Sequence, residues 1–455
     1  MTQPAAPNPA RIDPPRRQLP ALKLIRTVIR NPIEVWPKAV FEEDVFRSRF
    51  MSRDTVFVMD PDLVREVLVE KADAFVKAET MRRALRPALG DAILTADGAD
   101  WRWQRRAAAP IFRHERLLGF APAMLEAAAR TRDRWLALDP SREVDVGREM
   151  MRTTFDIIVE TMLSGHAGID VERVERGVTD YLESTSWAIA LTLLQAPDWV
   201  PYPGKLRAVR ARNYLRAELL RLAAERRPGA GARDDLITLL IEARDPETGQ
   251  AMSDRDVADN LLTFITAGHE TTALALTWTF YLLGLHPHIE ARVVAEIDRV
   301  TGGAPLAADH AGALGYTGQV LQEAMRLYPP APVIVRAATR DVVIGAQPVA
   351  RGTAVYVPVY ALHRHAKLWD EPDRFDPDRF AAGAAKARHR YQYIPFGAGP
   401  RICIGMGFAM LEATLILATL LRATRARLRD RYTPGLKLRV TLRPFPGMPM
   451  RIEPR

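Results

Sequence analysis

The sequence predicts a mainly α-helical chain with a minor β portion, folded around one core. Three observations carry this. Helical apolar periodicity fills most of residues 101–225. A stretch that is apolar nearly all round runs from Val257 to about Leu285, and such a helix crosses the middle of a molecule. A second strongly apolar run, "GMGFAMLEATLILATLLRA", follows Cys403, the single cysteine of the 455 residues.

The elements follow in order. "MTQPAAPNPARIDPPRRQLP" is rich in Pro and Arg and has no apolar core of a signal peptide. It predicts a flexible N-terminal arm over residues 1–20, with 21–455 as one domain. "VFVMDPDLVREVLV" (56–69) reads as a strand, an Asp-Pro turn and a helix start. The helical region breaks at 138–146 and 195–205, and "ERRPGAGARDD" (225–235) predicts an exposed loop. Ser253 caps the long central helix, with Asp256 placed for a capping box. A helix over 314–328 stops at Pro329–Pro330. "DVVIGAQPVARGTAVYVPVYALH" (341–363) alternates and turns like a small sheet.

Composition narrows the function. A 48% hydrophobic, 26% charged chain is that of a globular protein. One cysteine excludes an internal disulfide, a four-cysteine zinc site and a cysteine-ligated iron–sulfur cluster. The apolar stretch 271–285 is short for a membrane span and follows His269–Glu270 directly, so it reads as a buried segment. A cytoplasmic monomer, with no membrane and no nucleic acid, is expected. The net charge of +9 lacks the tracts and aromatic signatures of nucleic-acid readers and suits an acidic protein partner.

Four stretches carry chemistry. In "FGAGPRICIG" (396–405), Cys403 precedes a helix N-terminus, whose free N–H groups favour a thiolate. Gly397, Gly399 and Gly405 permit a tight turn against something flat, Arg401 offers a cation, and Phe396 an apolar shield. Locally the cysteine is a metal ligand, a nucleophile or an inert small hydrophobe. "AGHETT" (267–272) places Gly268, Glu270 and Thr271 in the apolar central helix, where polar groups are expensive unless used or satisfied by neighbouring helices. His269 is a weaker metal-ligand candidate. "EAMR" puts Glu323 and Arg326 on one helix face, and Arg374 of "EPDRFDPDRF" could share the carboxylate. "WRWQRRAAAPIF" puts Trp101 and Arg105 on one face, suited to a ring edge bearing an anion or to a basic surface.

In this order the four stretches resemble the cytochrome P450 family over about residues 40–450. The pattern F-x-x-G-x-R-x-C-x-G is met by Phe396, Gly399, Arg401, Cys403 and Gly405. A/G-G-x-D/E-T-T/S is met by Ala267, Gly268, Glu270, Thr271 and Thr272. E-x-x-R falls on Glu323 and Arg326, with Arg374 as third member, and W-x-x-x-R on Trp101 and Arg105.

The resemblance implies a triangular single domain with haem b (iron protoporphyrin IX) between the central helix and the cysteine loop. Cys403 would be the proximal iron ligand. Trp101, Arg105, Arg336 and Arg401 would hold the haem propionates, and Phe396, Gly397, Gly405, Ala267 and Gly268 would face the cofactor. Glu270 and Thr271 would be catalytic, delivering protons on the distal side. The activity implied is a monooxygenase that uses O2 to hydroxylate or epoxidise a small apolar organic substrate. No flavin or ferredoxin module is recognisable, so electrons are expected from a separate ferredoxin or flavodoxin with its reductase. Arg102, Arg106, Lys386, Arg388 and Arg390 would form a basic docking face. The alternatives are a peroxide-driven, isomerising or dehydrating relative, and a haem-binding sensor. The intact Glu270–Thr271 pair favours O2 activation. Substrate choice would rest on residues 80–94, 165–205, the strand after Pro330 and the "RPFPGMPM" turn.

Overall fold

The central helix, Asp254–Leu285, is the axis on which the other helices are assembled. Ser253 and Asp256 close the expected capping box at its start, and 23 of its 32 residues are buried. The computed structural model describes residues 9–50, 53–163, 165, 171–197, 199–227, 235–245 and 247–455. Most of the loop expected at 225–235 thus lies outside the described residues.

Helices Val146–Met162 and Lys205–Arg226 pack along the central helix, and Met406–Ala423, here the cysteine helix, packs on His114–Leu136 and Gly315–Leu327. Among the described residues the cysteine helix alone is long and apolar enough to cross a membrane, and most of it is buried in this core. Trp278 of the central helix stacks on Tyr328 at 4.0 Å.

The β portion is split. A five-stranded sheet runs Val45–Phe50, Arg53–Val58, Ala354–Val357, Ile334–Ala338, Phe75–Lys77 in spatial order. The small sheet expected over 341–363 therefore divides: Val342–Ile344 and Gln347–Val349 make a separate hairpin, while Ala354–Val357 joins the larger sheet. A C-terminal hairpin, Gly435–Leu438 with Leu442–Phe445, reaches the central helix.

The N-terminal arm departs from expectation. Within residues 9–20, Ala10 and Ile12 are buried. Ala10 donates its N–H to Tyr281 Oη and accepts from Tyr328 Oη, while Ile12 N–H donates to Tyr360 Oη. Three buried hydroxyls need partners, and this segment supplies them. Its prolines stiffen a strap that is part of the core.

Candidate active site

The cysteine loop is shaped by two left-handed glycines. Gly397 and Gly399 have φ of +74° and +68°, a region only glycine enters freely. A Cβ on Gly399 would lie 2.0 Å from the Leu68 carbonyl oxygen. The resulting turn lets Cys403 N–H donate to the Phe396 carbonyl at 2.9 Å. Gly405 has an ordinary φ and is the residue before the cysteine helix; its N–H points to the sulfur.

Cys403 keeps accessible surface although protein surrounds it on almost every side, so the sulfur lines an interior space. Burial pushes its thiol above the usual range, and the Gly405 N–H and Arg105 only partly offset this. The helix N-terminus alone does not make a thiolate here. Ionisation needs positive charge at the sulfur itself, as a metal ion supplies. Among the described residues no group of three or more His, Cys, Asp or Glu could hold a metal. A metal on Cys403 must therefore bring most of its ligands with it, as a macrocycle does.

The central helix has accessible residues of its own. Ala267 is exposed and Thr271 half-exposed, one turn apart in a helix otherwise buried on both sides of them. Thr271 Oγ1 donates to the Ala267 carbonyl at 2.8 Å, and the helix continues without a break. Phe112 links the two walls: it stacks on Phe264 at 5.7 Å and lies 3.7 Å from where a Gly405 Cβ would be.

The neighbours of Ala267 and Thr271 serve other purposes. A Cβ on Gly268 would stand 2.6 Å from Ile158 Cδ1, and Thr154 Oγ1 donates to the His269 carbonyl at 2.9 Å. Gly268 thus brings helix Val146–Met162 close. His269 Nδ1 pairs with the Ile265 carbonyl. Glu270 is buried and turned to the C-terminal hairpin, with Arg443 Nη2 at 2.6 Å from Oε1.

Cations gather close to the cysteine loop. Arg401 pairs with Asp97 at 2.5 Å and lies 4.3 Å over Trp101, whose ring also meets Arg105 at 5.9 Å. Lys77 and Arg336 are direct cross-strand partners, an arrangement that like charges disfavour. Burial, then Arg401, pushes Lys77 down to about 7 and Arg336 down to about 10. Lys77 Nζ has only backbone carbonyls, Ala96 at 2.6 Å and Ile93 at 3.4 Å. Three cations around Asp97, with Arg105 next to Arg401, leave positive charge that a dianion would neutralise. A flat macrocycle with two carboxylates and an iron for Cys403 fits these residues.

The sequence missed Lys77, whose only local signal is a lysine ending a buried "FVK" strand. It also missed Glu412, a carboxyl fully buried in the apolar cysteine helix. Burial pushes that carboxyl well above the usual range, with Thr272 offsetting part. Glu323 and Arg326 are fully buried and joined at 2.6 and 2.8 Å, but Arg374 contributes only its backbone carbonyl. Its guanidinium is outside, on Glu371, and Arg379 takes the place beside Glu323. Arg388 is held between Trp369 and Phe380, so it leaves the basic face; Arg102, Arg106, Lys386 and Arg390 are exposed.

Known proteins match the chain over most of its length. Residues 24–439 match the family model "Cytochrome P450". The chain is 34% identical to "Cyclooctatin synthase" of Streptomyces melanosporofaciens, covering 93% of this chain and 90% of that one. It is 32% identical to "Cyclooctat-9-en-7-ol 5-monooxygenase" of the same organism, covering 92% and 90%. The solved heme domain of cytochrome P450DA superposes with a TM-score of 0.81 at 29% identity, covering 91% of this chain and 90% of that one.

Proposed function

The chain belongs to the cytochrome P450 family, and from that premise we propose that it is a haem–thiolate monooxygenase inserting one oxygen atom into a small, mostly apolar substrate. The carrying observation is an accessible Cys403 sulfur enclosed by protein, with Arg105 close to it and Arg401, Lys77 and Arg336 grouped next to that arginine. Cys403 would ligate the iron, and the four cations would hold the two carboxylates. When bound, the group supplies the electron and O2 chemistry, which a thiolate ligand favours.

The chain's own part is placement. The Phe396 carbonyl fixes the peptide of Cys403, and the Gly405 N–H steadies its sulfur. Trp101 meets both Arg105 and Arg401 with its ring, holding the two guanidinium groups near each other. Thr271 Oγ1 holds a proton on the accessible face of the central helix. At rest Thr271 Oγ1 donates that proton to the Ala267 carbonyl, so passing it on requires the hydroxyl to rotate. The apolar wall from Phe112 and Phe264 excludes water from this face.

The names of the relatives support a largely hydrocarbon, unsaturated cyclic alcohol or its precursor as the substrate class. A separate ferredoxin or flavodoxin would supply electrons, docking on exposed Arg102, Arg106, Lys386 and Arg390. Purified protein is expected to show the red-shifted carbon-monoxide band of thiolate-ligated haem on reduction, lost in Cys403→Ser. Turnover should need both reductant and O2. A wild-type protein without that band, or one that turns over only with peroxide, overturns this assignment.

A further inference from the structure

We propose that Arg443 and Thr441 of the C-terminal hairpin are positioning residues for Glu270, holding its carboxylate on the side of the helix away from Thr271 and at the wall of a polar cleft. This rests on the monooxygenase function proposed above, for which Glu270 would be the acid that feeds protons toward Thr271.

Two hydrogen bonds and an ion pair converge on one oxygen. Glu270 Oε1 accepts from Thr441 Oγ1 and from Arg443 Nε at 2.8 Å, with Arg443 Nη2 in ion-pair contact at 2.6 Å. The Glu270 side chain is 3% exposed and that of Arg443 22%. A carboxylate this deep must be paired, because leaving it unpaired costs far more than the pair returns. Successive residues on a helix point about 100° apart, so the hairpin can grip Glu270 without touching Thr271.

The grip is itself rigid. Leu442, between the two gripping residues, donates its N–H to the Pro330 carbonyl at 3.0 Å and accepts from Trp278 Nε1 at 3.0 Å. Trp278 lies eight residues beyond Glu270 on the same helix, so hairpin and acid share one frame. On the other strand, Asn31 Nδ2 donates to the Leu436 carbonyl at 2.7 Å and its Oδ1 accepts from Leu438 N–H at 2.8 Å. The pair is preorganised by backbone contacts, in the way supporting residues hold a catalytic group.

The carboxylate also meets water. Glu270, Arg443, His269, Asp145 and Arg148 line an open cleft of about 180 Å³, room for several waters. Glu270 Oε2 takes neither of the two hydrogen bonds from the hairpin. Arg443 thus fixes one oxygen and leaves the other for the water of the cleft.

The test uses haem-loaded protein reduced by NADPH through a ferredoxin and its reductase, without added substrate. It compares R443Q, R443K, T441V and E270Q with R439Q, an arginine on the same hairpin that bonds Ser186 instead. R443Q should raise the share of electrons released as hydrogen peroxide several-fold, T441V less, and R443K should restore most of the loss with R439Q at the wild-type value. Independently of turnover, the infrared carboxylate band that E270Q removes should shift in R443Q and return in R443K. An unshifted band in R443Q overturns the proposal, as does the same peroxide rise in R439Q. If wild-type protein shows no thiolate-type carbon-monoxide band, the monooxygenase function has failed, and the infrared comparison still decides whether Arg443 positions Glu270.

Discussion

Arg379 Nε lies 3.7 Å from Glu323 Oε1, while Arg374, five residues earlier, points its guanidinium at Glu371. Both arginines sit in a Pro-Asp-Arg-Phe tetrapeptide, at 372–375 and 377–380. The second copy is the one brought to the buried Glu323–Arg326 pair. Arg379→Ala should cost ~1–3 kcal/mol, the value of donors facing a buried charge, and Arg374→Ala within ~0.5 kcal/mol, as for an exposed ion pair. Arg326→Met, which strands Glu323, should cost ~3–5 kcal/mol. Denaturant unfolding of the three variants measures the order; equal losses for Arg374 and Arg379 would contradict it.

Gly268→Ala separates packing from helix propensity. On propensity alone alanine stabilises a helix by ~1 kcal/mol over glycine. Here the new Cβ would meet Ile158 Cδ1 at 2.6 Å, and overpacking of this kind costs ~1–3 kcal/mol. The variant should melt lower than wild type, and adding Ile158→Ala should be less harmful in G268A than in wild type. Additive losses by double-mutant cycle would show that the two do not touch.

These residues also mark what was legible in the sequence. Contacts set by local spacing were readable: the Ser253–Asp256 cap, Trp101 and Arg105 one turn apart, Glu323 and Arg326 on one face, and the turn around Cys403. What escaped depends on partners far along the chain. Lys77 matters because strand pairing sets it against Arg336, and nothing near "FVK" announces that register. Gly268 is explained by Ile158, and Glu270 by Arg443, each on another element. The two copies of Pro-Asp-Arg-Phe are locally indistinguishable, and only the fold chooses between them. The N-terminal strap was misread because its composition is that of a tail, while its order comes from three tyrosine hydroxyls elsewhere.

That strap should be needed for stability. Removing residues 2–12 leaves the hydroxyls of Tyr281, Tyr328 and Tyr360 without the partners seen here, at ~1–3 kcal/mol for each left unsatisfied. The truncated protein should unfold several degrees below the full chain. Tyr328→Phe should recover part of that loss within the truncated background, since it removes the stranded group. Truncation with no change in melting temperature would restore the loose arm.

Lys77 yields a pH dependence whose sign separates the haem-free from the haem-loaded protein. Its folded value is pushed down to about 7 from 10.5 by burial and by Arg401. Between those values the unfolded chain holds a proton that the folded chain has lost. Stability of haem-free protein should therefore rise as pH climbs through that window, by at most ~4–5 kcal/mol. Below the window the charged lysine is a penalty carried by the fold. Lys77→Met should remove both the penalty and the rise, leaving a flatter profile that is more stable at neutral pH. Carboxylates held beside Lys77 would keep it protonated, so loaded wild-type protein should also lack the rise. Urea unfolding from pH 6.5 to 10 on these three samples makes the measurement. An equal slope in all of them would mean that Lys77 neither loses its proton in the haem-free fold nor meets the anion proposed for it.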